Sequence, residues 1–329
     1  MLVAGVIMRR RDVLSLLGGV AVAARPLPGF AQSAKVPLVG VLMTQSSGSA
    51  GFWTGFREDL RALGYIENKN IRFEYRSDEG DASRLPALAA ELVRLKPDLI
   101  VTWFTPAGFA AKQATRDIPI VMGNVGNPVE TGLIASLARP GGNITGIAGI
   151  GAELAGKCVD LLREMLPATH RIVALANAPD PFSKPFVDKI KQAGQVTRIA
   201  IDPMLLRGPD ELETAFAALA KDRPDAVIVQ PTLGAKRPAE LALQHRIPAV
   251  SFIQEFAQQG GLMSYAVAYA DVYRKAAIFV DKILKGAKPA ELPAEEPSKF
   301  ELVINLKTAK AVGLDIPPTF LERADKVIE

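Results

Sequence analysis

From position 36 onward the chain repeats one rhythm: a short run of β-branched and aliphatic residues, a loop, then a stretch of helical period. Strands read at 37–43, 71–75, 99–103 and 120–122, and helices at 52–63, 81–96 and 106–115. Phe52, Phe56, Leu60 and Leu63 recur at helical spacing before Gly64 ends the first helix. A strand returned to its own sheet through a helix makes a right-handed parallel crossover, so repeated βα units build an open parallel sheet covered by helices.

The rhythm then restarts. Helices read at 153–166, 182–193, 211–221 and 238–245, with strands at 172–176, 197–201, 226–230 and 249–252. A further strand at 262–265, a long helix at 268–284 and a strand at 300–304 complete the chain. Between the two halves lies Ile120 to Gly146, IVMGNVGNPVETGLIASLARPGGNITG. Its strand stops at Gly123-Asn124-Val125-Gly126-Asn127-Pro128, where glycine tolerates tight turns and proline can open a short helix. A second break at Arg139-Pro140-Gly141-Gly142 precedes another extended run. Two such breaks mark a chain leaving one sheet for another.

The expected fold is α/β, with two doubly wound parallel-sheet, Rossmann-like lobes joined by a three-stranded hinge. The first lobe takes 36–143 plus 261–288 and the second 144–256 plus 298–329, with crossovers near 123–146, 256–261 and 288–298. At 329 residues, 49% apolar, the chain is long enough for two such cores.

Residues 1–31 read as a targeting segment and are set aside from the fold. Arg9-Arg10-Arg11-Asp12 precedes a short apolar run, and Gly29-Phe30-Ala31 offers small residues for cleavage near Ala31. This is the pattern of a twin-arginine export signal, and it predicts a periplasmic protein. About twelve apolar residues fall short of the ~20 that span a bilayer. Met8 offers a second start. Removing four arginines and one aspartate lowers the formal charge from +4 to +1, which gives no footing for nucleic acid. Cys158 has no partner in the chain and sits at helical spacing with Leu154, Leu161 and Leu162, as a buried inert thiol.

In an open parallel sheet, ligands bind beyond the carboxyl ends of the strands. The loops there carry Ser46 and Ser47 after the first strand, Thr105, Pro106 and Ala107 after the third, and Asn127 at the crossover. In the second half they carry Asn177, Asp180, Thr232 and Phe252, with Tyr265 on the late strand. Hydroxyls and amides before a helix cap it, and free N-terminal amides there favour an anion. Trp53, Trp103, Phe104, Phe182, Phe252 and Tyr265 stand beside these loops and could wall a pocket for an apolar ligand body. Hydroxyls and backbone amides would hold a carboxylate or similar head, with Trp53 and Phe252 covering the apolar part.

No chemistry is assigned. Gly151 to Cys158 nearly fits a phosphate-binding loop, but Cys158 stands where a magnesium-binding hydroxyl belongs. No dinucleotide fingerprint follows the first strand, and His170 and His245 lack metal-ligand spacing. There is no nucleophile elbow. Neither catalytic residue, metal nor cofactor is expected.

Three motifs carry a resemblance. Gly126-Asn127-Pro128-Val129 through Ser136-Leu137-Ala138-Arg139-Pro140-Gly141-Gly142-Asn143-Ile144-Thr145-Gly146 is one, and Gly260-Gly261-Leu262-Met263-Ser264-Tyr265 another. The third is Lys299-Phe300-Glu301-Leu302-Val303-Ile304-Asn305-Leu306-Lys307-Thr308-Ala309-Lys310. From about residue 36 to the end the chain resembles the substrate-binding proteins of ABC transporters whose studied relatives include tryptophan and tyrosine binders. The resemblance implies a two-lobed periplasmic binding protein of type I that closes on a small molecule and presents it to an inner-membrane permease and its ATPase. Asn127 stands where such relatives carry an aspartate able to pair with a ligand amine, and Asn177-Ala178-Pro179-Asp180 has fewer asparagines than is usual.

The expected function is therefore capture of a small organic ligand, a carboxylate or amino acid, aromatic ones included, by a monomer, with no reaction performed. Two alternatives share the fold: a periplasmic sensor subunit that docks on a membrane receptor, and an enzyme whose loops would offer Asp180 and Glu255 as acids.

Overall fold

The computed structural model describes residues 35–44 and 49–329. The targeting segment at 1–31 and the candidate residues Ser46 and Ser47 lie outside the described residues.

The first sheet forms from the apolar runs of the first half. Strand β1 (Leu38–Met43) is buried along nearly its whole length, as a central strand covered on both faces must be. Helix α1 (Ser49–Ala62) returns the chain to β2 (Arg72–Ser77), a half-exposed edge strand. Helix α2 (Leu85–Arg94) leads to β3 (Leu99–Trp103), and α3 (Thr105–Ala114) to β4 (Ile120–Gly126) and β5 (Ile144–Gly149). Their order is β2-β1-β3-β4-β5, all pairs parallel.

The second sheet repeats the plan. Helix α4 (Gly151–Met165) precedes β6 (Arg171–Asn177), α5 (Ser183–Thr197) precedes β7 (Ala200–Leu206), and α6 (Leu212–Asp222) precedes β8 (Ala226–Val229). Helix α7 (Lys236–Gln244), β9 (Ala249–Ser251), the short α8 (Glu255–Gln258) and β10 (Met263–Val267) follow. Then come α9 (Tyr269–Leu284), β11 (Phe300–Asn305), α10 (Leu306–Val312), α11 (Pro318–Leu321) and β12 (Lys326–Ile328). The order is β12-β11-β10-β9-β8-β6-β7. Strands β6 to β10 thus take the same 2-1-3-4-5 order as β1 to β5, and both sheets belong to one compact unit, Val36–Glu329.

Four details depart from the sequence reading. Strand β5, expected to open the second lobe, closes the first sheet by pairing along β4, so the first crossing falls at Ile150 instead of within 123–146. Strand β10, assigned with 261–288 to the first lobe, pairs with β9 in the second sheet, and the second crossing falls at Ala268 instead of 256–261. The second sheet is mixed, because β10 and β11 run antiparallel. The strand read at 197–201 starts later: α5 continues through Thr197, whose hydroxyl donates to the Ala193 carbonyl at 2.8 Å, and Arg198 ends the helix in the left-handed conformation.

Each crossing sends a helix to the opposite lobe. Helix α4 leaves β5 and packs on α5, β8, β9 and β10, whereas α9 leaves β10 and packs on α1, β4 and β5. The third segment, after α9, first bonds to the edge of β5 through Ala148 N–H to the Glu295 carbonyl at 2.9 Å, then enters β11. Exchange of α4 and α9 buries Val159, Leu162, Val272 and Phe279 in the shared core and ties the lobes by apolar packing as well as by backbone.

A cleft where two switch points meet

The geometry of the site follows from strand order. In the first sheet β1 lies between β2 and β3, and in the second β6 lies between β7 and β8. At such a switch point the connections leave in opposite directions and open a crevice at the carboxyl ends. Thr44 follows β1 and Asn177 ends β6, so the two residues hold equivalent places in the two lobes. Both line one interlobe cleft of about 440 Å³, together with Asp78, Pro106 and Gln113 from the first lobe and Pro179, Arg207, Asp210 and Thr232 from the second. The volume suits a small organic ligand.

Thr44 and Asn177 are 4% and 5% exposed, and Oγ1 of Thr44 and Oδ1 of Asn177 have no hydrogen-bond partner among the described residues. Buried polar atoms are nearly always paired, because leaving one unpaired costs about 1–3 kcal/mol. Both residues line the cleft, one from each lobe, so each wall carries a buried polar atom whose bonding capacity is unused among the described residues.

Behind Asn177 lies a buried network. Its Nδ2 donates to Thr232 Oγ1 at 3.2 Å, Thr232 Oγ1 donates to Asp180 Oδ2 at 2.9 Å, and Gln230 Nε2 donates to the same oxygen at 2.8 Å. The Phe182 N–H reaches Asp180 Oδ1 at 2.9 Å. Burial pushes the Asp180 carboxyl up to about 6, against the lowering effect of these three donors. Among the other charged groups of the cleft, Ser83 holds Asp81 below the usual carboxylate range, and Arg207 is drawn towards Glu211.

Beneath the cleft, towards the hinge, is a smaller cavity of about 30 Å³ lined by Phe104, Thr105, Asn124, Asp180, Phe182 and Phe252 among others. Backbone strain gathers there. Phe104 has φ 66° and ψ 169°, and Asn124 has φ 103°, regions that side-chain-bearing residues seldom occupy outside functional sites. The Phe182 ring lies so close to Gly126 and Gly151 that a Cβ on either would stand 2.8 or 2.7 Å from it. A side chain at either place would force the ring to shift, and the two places bracket the first crossing.

The structure brings together many of the residues singled out from sequence. Pro106, Asn177 and Thr232 line the cleft, and Thr105, Asp180 and Phe252 line the cavity beneath it, with Thr232 shared. Thr105 Oγ1 is taken by the Gly126 N–H at 3.1 Å. Four lie elsewhere. Trp53 stacks edge-on against Phe73 of the outer strand β2 with the Arg57 guanidinium over it, because α1 turns that face towards the sheet edge. Ala107 is wholly buried against the first core, and Tyr265 stacks on Phe300 across the β10–β11 pair. Asn127 spans the first crossing: its Oδ1 accepts from the Ala152 N–H at 2.9 Å and its Nδ2 donates to Glu153 at 3.1 Å. Sequence reasoning missed Gln230 and Asp78. Gln230 could have been noticed as a polar residue closing an otherwise apolar strand before Pro231.

Comparison with known proteins bears on this geometry. The family model described as ABC transporter substrate binding protein matches residues 39–328. A tyrosine-binding protein of Clostridioides difficile is 27% identical over 265 residues, covering 79% of this chain and 76% of the relative. Among solved structures, a conserved domain protein from Vibrio cholerae superposes with a TM-score of 0.84 at 25% identity, over 89% of this chain and 100% of that one. The domain from Streptococcus pneumoniae in complex with L-Trp gives 0.81 at 25% identity, over 89% of this chain and 99% of that one.

Proposed function

The chain belongs to the ABC transporter substrate-binding protein family, and from that premise we propose that it captures an amino acid with an aromatic side chain between its lobes and passes it to a membrane permease. The observation that carries this reading is the pair of orphaned buried atoms, Thr44 Oγ1 and Asn177 Oδ1, on opposite walls of one cleft at the two switch points. A ligand bound to both lobes favours the closed arrangement by its differential affinity, which is how binding becomes a signal a permease can read. The tyrosine-binding relative and the L-Trp complex support the ligand class, and Pro106, Phe109, Pro179 and Pro181 on the cleft itself supply apolar surface for a ring.

Export by the twin-arginine route, cleavage near Ala31 and a monomeric periplasmic state belong to the same proposal. Among the described residues no helix is long and apolar enough to cross a membrane.

The test is a thermal-shift screen of the purified, ligand-stripped protein against the twenty amino acids, sugars, nucleosides and aromatic acids. A ligand at a hundred times its Kd adds about 2.7 kcal/mol of stability, a readily visible shift. Shifts with tryptophan, tyrosine or phenylalanine are expected. Shifts confined to sugars or nucleosides overturn the ligand class.

A further inference from the structure

Resting on the reading of the cleft as an amino-acid site, the hydrogen-bond directions behind Asn177 bear on which end of its amide the second lobe offers a ligand. Gln230 Oε1 accepts from the Asn177 backbone N–H at 2.8 Å, so the amide of Gln230 has to turn its Nε2 towards Asp180. Asp180 accepts on both oxygens, from Phe182 N–H on one and from Gln230 and Thr232 on the other. A threonine hydroxyl has a single hydrogen. Here it goes to Asp180, so towards Asn177 the same oxygen can only accept, and it takes the Asn177 Nδ2 hydrogen. One of the two Asn177 amide hydrogens is thereby taken, and its carbonyl oxygen is the side-chain atom left with no partner among the described residues.

We propose that Asp180, acting through Thr232, fixes Asn177 as an acceptor on the cleft, and that this acceptor receives a protonated amine of the ligand. The charged groups of the cleft agree in sign. Asp78 and Asp81 from the segment after β2, and Asp210 from the segment after β7, line the cleft together with one guanidinium, Arg207. A cleft lined by an excess of one charge concentrates ligands of the other. A carboxylate head would meet acceptors here, contrary to the sequence expectation of a carboxylate held by hydroxyls.

The relay reverses when Asp180 is neutral. A protonated Asp180 donates to Thr232, the hydroxyl hydrogen turns to Asn177 Oδ1, and the amide presents its NH2 to the cleft. With the Asp180 carboxyl raised to about 6 by burial, affinity for an amine falls as pH drops through that value. Asp180 is a positioning residue in this scheme.

The experiment is calorimetric titration of the ligand-stripped protein with matched pairs that share a body: tryptamine and indole-3-propionate, phenethylamine and 3-phenylpropionate. L-tryptophan and L-tyrosine are run beside them, at pH 5 and pH 7.5. At the higher pH each amine binds at least about ten-fold tighter than its matched acid, and most of that preference is lost at pH 5. Asp180→Asn removes the preference at both pH values. An acid that binds as tightly as its amine overturns the relay while leaving amino-acid capture intact. Amines that bind where no amino acid does overturn the proposed function while leaving the relay intact. Should Asp180→Asn fail to fold, amine affinity that is the same at both pH values in the unaltered protein overturns the relay by itself.

Discussion

Asn127 caps a helix of the other lobe. Its Oδ1 accepts from the Ala152 N–H at 2.9 Å, where Ile150, at the N-cap position of α4, has no side chain able to do so. Its Nδ2 meanwhile donates to Glu153 in the first turn of that helix. The end of β4 is thereby fastened to the start of α4 across the first crossing. Replacement by alanine removes both bonds and leaves the Ala152 N–H without its cap, so Asn127→Ala is expected to lower unfolding stability by about 1 kcal/mol. A urea titration that shows an unchanged midpoint contradicts this role.

The Phe182 ring packs against Gly126 and Gly151 on either side of the same crossing. Gly151→Ala would place a methyl 2.7 Å from the ring, and overpacking a buried aromatic in this way costs about 1–3 kcal/mol. Phe182→Leu should recover part of that loss in the double variant, because the smaller side chain yields the space. Strict additivity of the two changes in a double-mutant cycle would show that the ring and the glycine do not act on each other.

Asp180 also sets a pH dependence of the ligand-free fold. Its folded value of about 6 lies above the ordinary 3.8, so between those two values the folded chain binds more protons than the unfolded one. Stability from this group is fully present below pH 3.8 and is lost as pH rises through 6. The difference between the two values corresponds to roughly 3 kcal/mol. Denaturant midpoints from pH 4 to 7.5 should fall more steeply in the unaltered protein than in Asp180→Asn. Parallel profiles would contradict the account of Asp180.

Cys158 lies wholly buried in α4 within the shared core, and burial pushes its thiol up to about 12. A thiol so placed is neutral and shielded, so a disulfide reagent should label it only when the core opens. Its labelling rate is expected to rise with urea in step with unfolding. Fast labelling of the native protein contradicts the packing of α4 described here.

Much of this architecture is legible in the sequence because parallel strands buried on both faces read as continuous apolar runs, as in 38–43 and 226–229. What periodicity does not encode is partner choice. Ile144 to Gly149 and Met263 to Val267 are short extended runs, and nothing in their composition says which sheet receives them. Asn177 at the end of β6 and Thr232 in the turn after β8 were legible from loop position alone. Trp53 and Tyr265 did not, since an aromatic beside a loop can turn to either face and theirs turn to Phe73 and Phe300. The relay was hidden for a different reason: Gln230 and Thr232 lie about fifty residues from Asp180 in the chain, and the three meet only through the adjacency of β6 and β8.

The most direct test of the cleft as an amino-acid receptor is a crystal structure of the protein with the amino acid that shifts its melting most. The account predicts the ligand's nitrogen within about 3 Å of Asn177 Oδ1, between the two lobes. A ligand carboxylate at that oxygen, or a ligand seated away from Thr44 and Asn177, would contradict it.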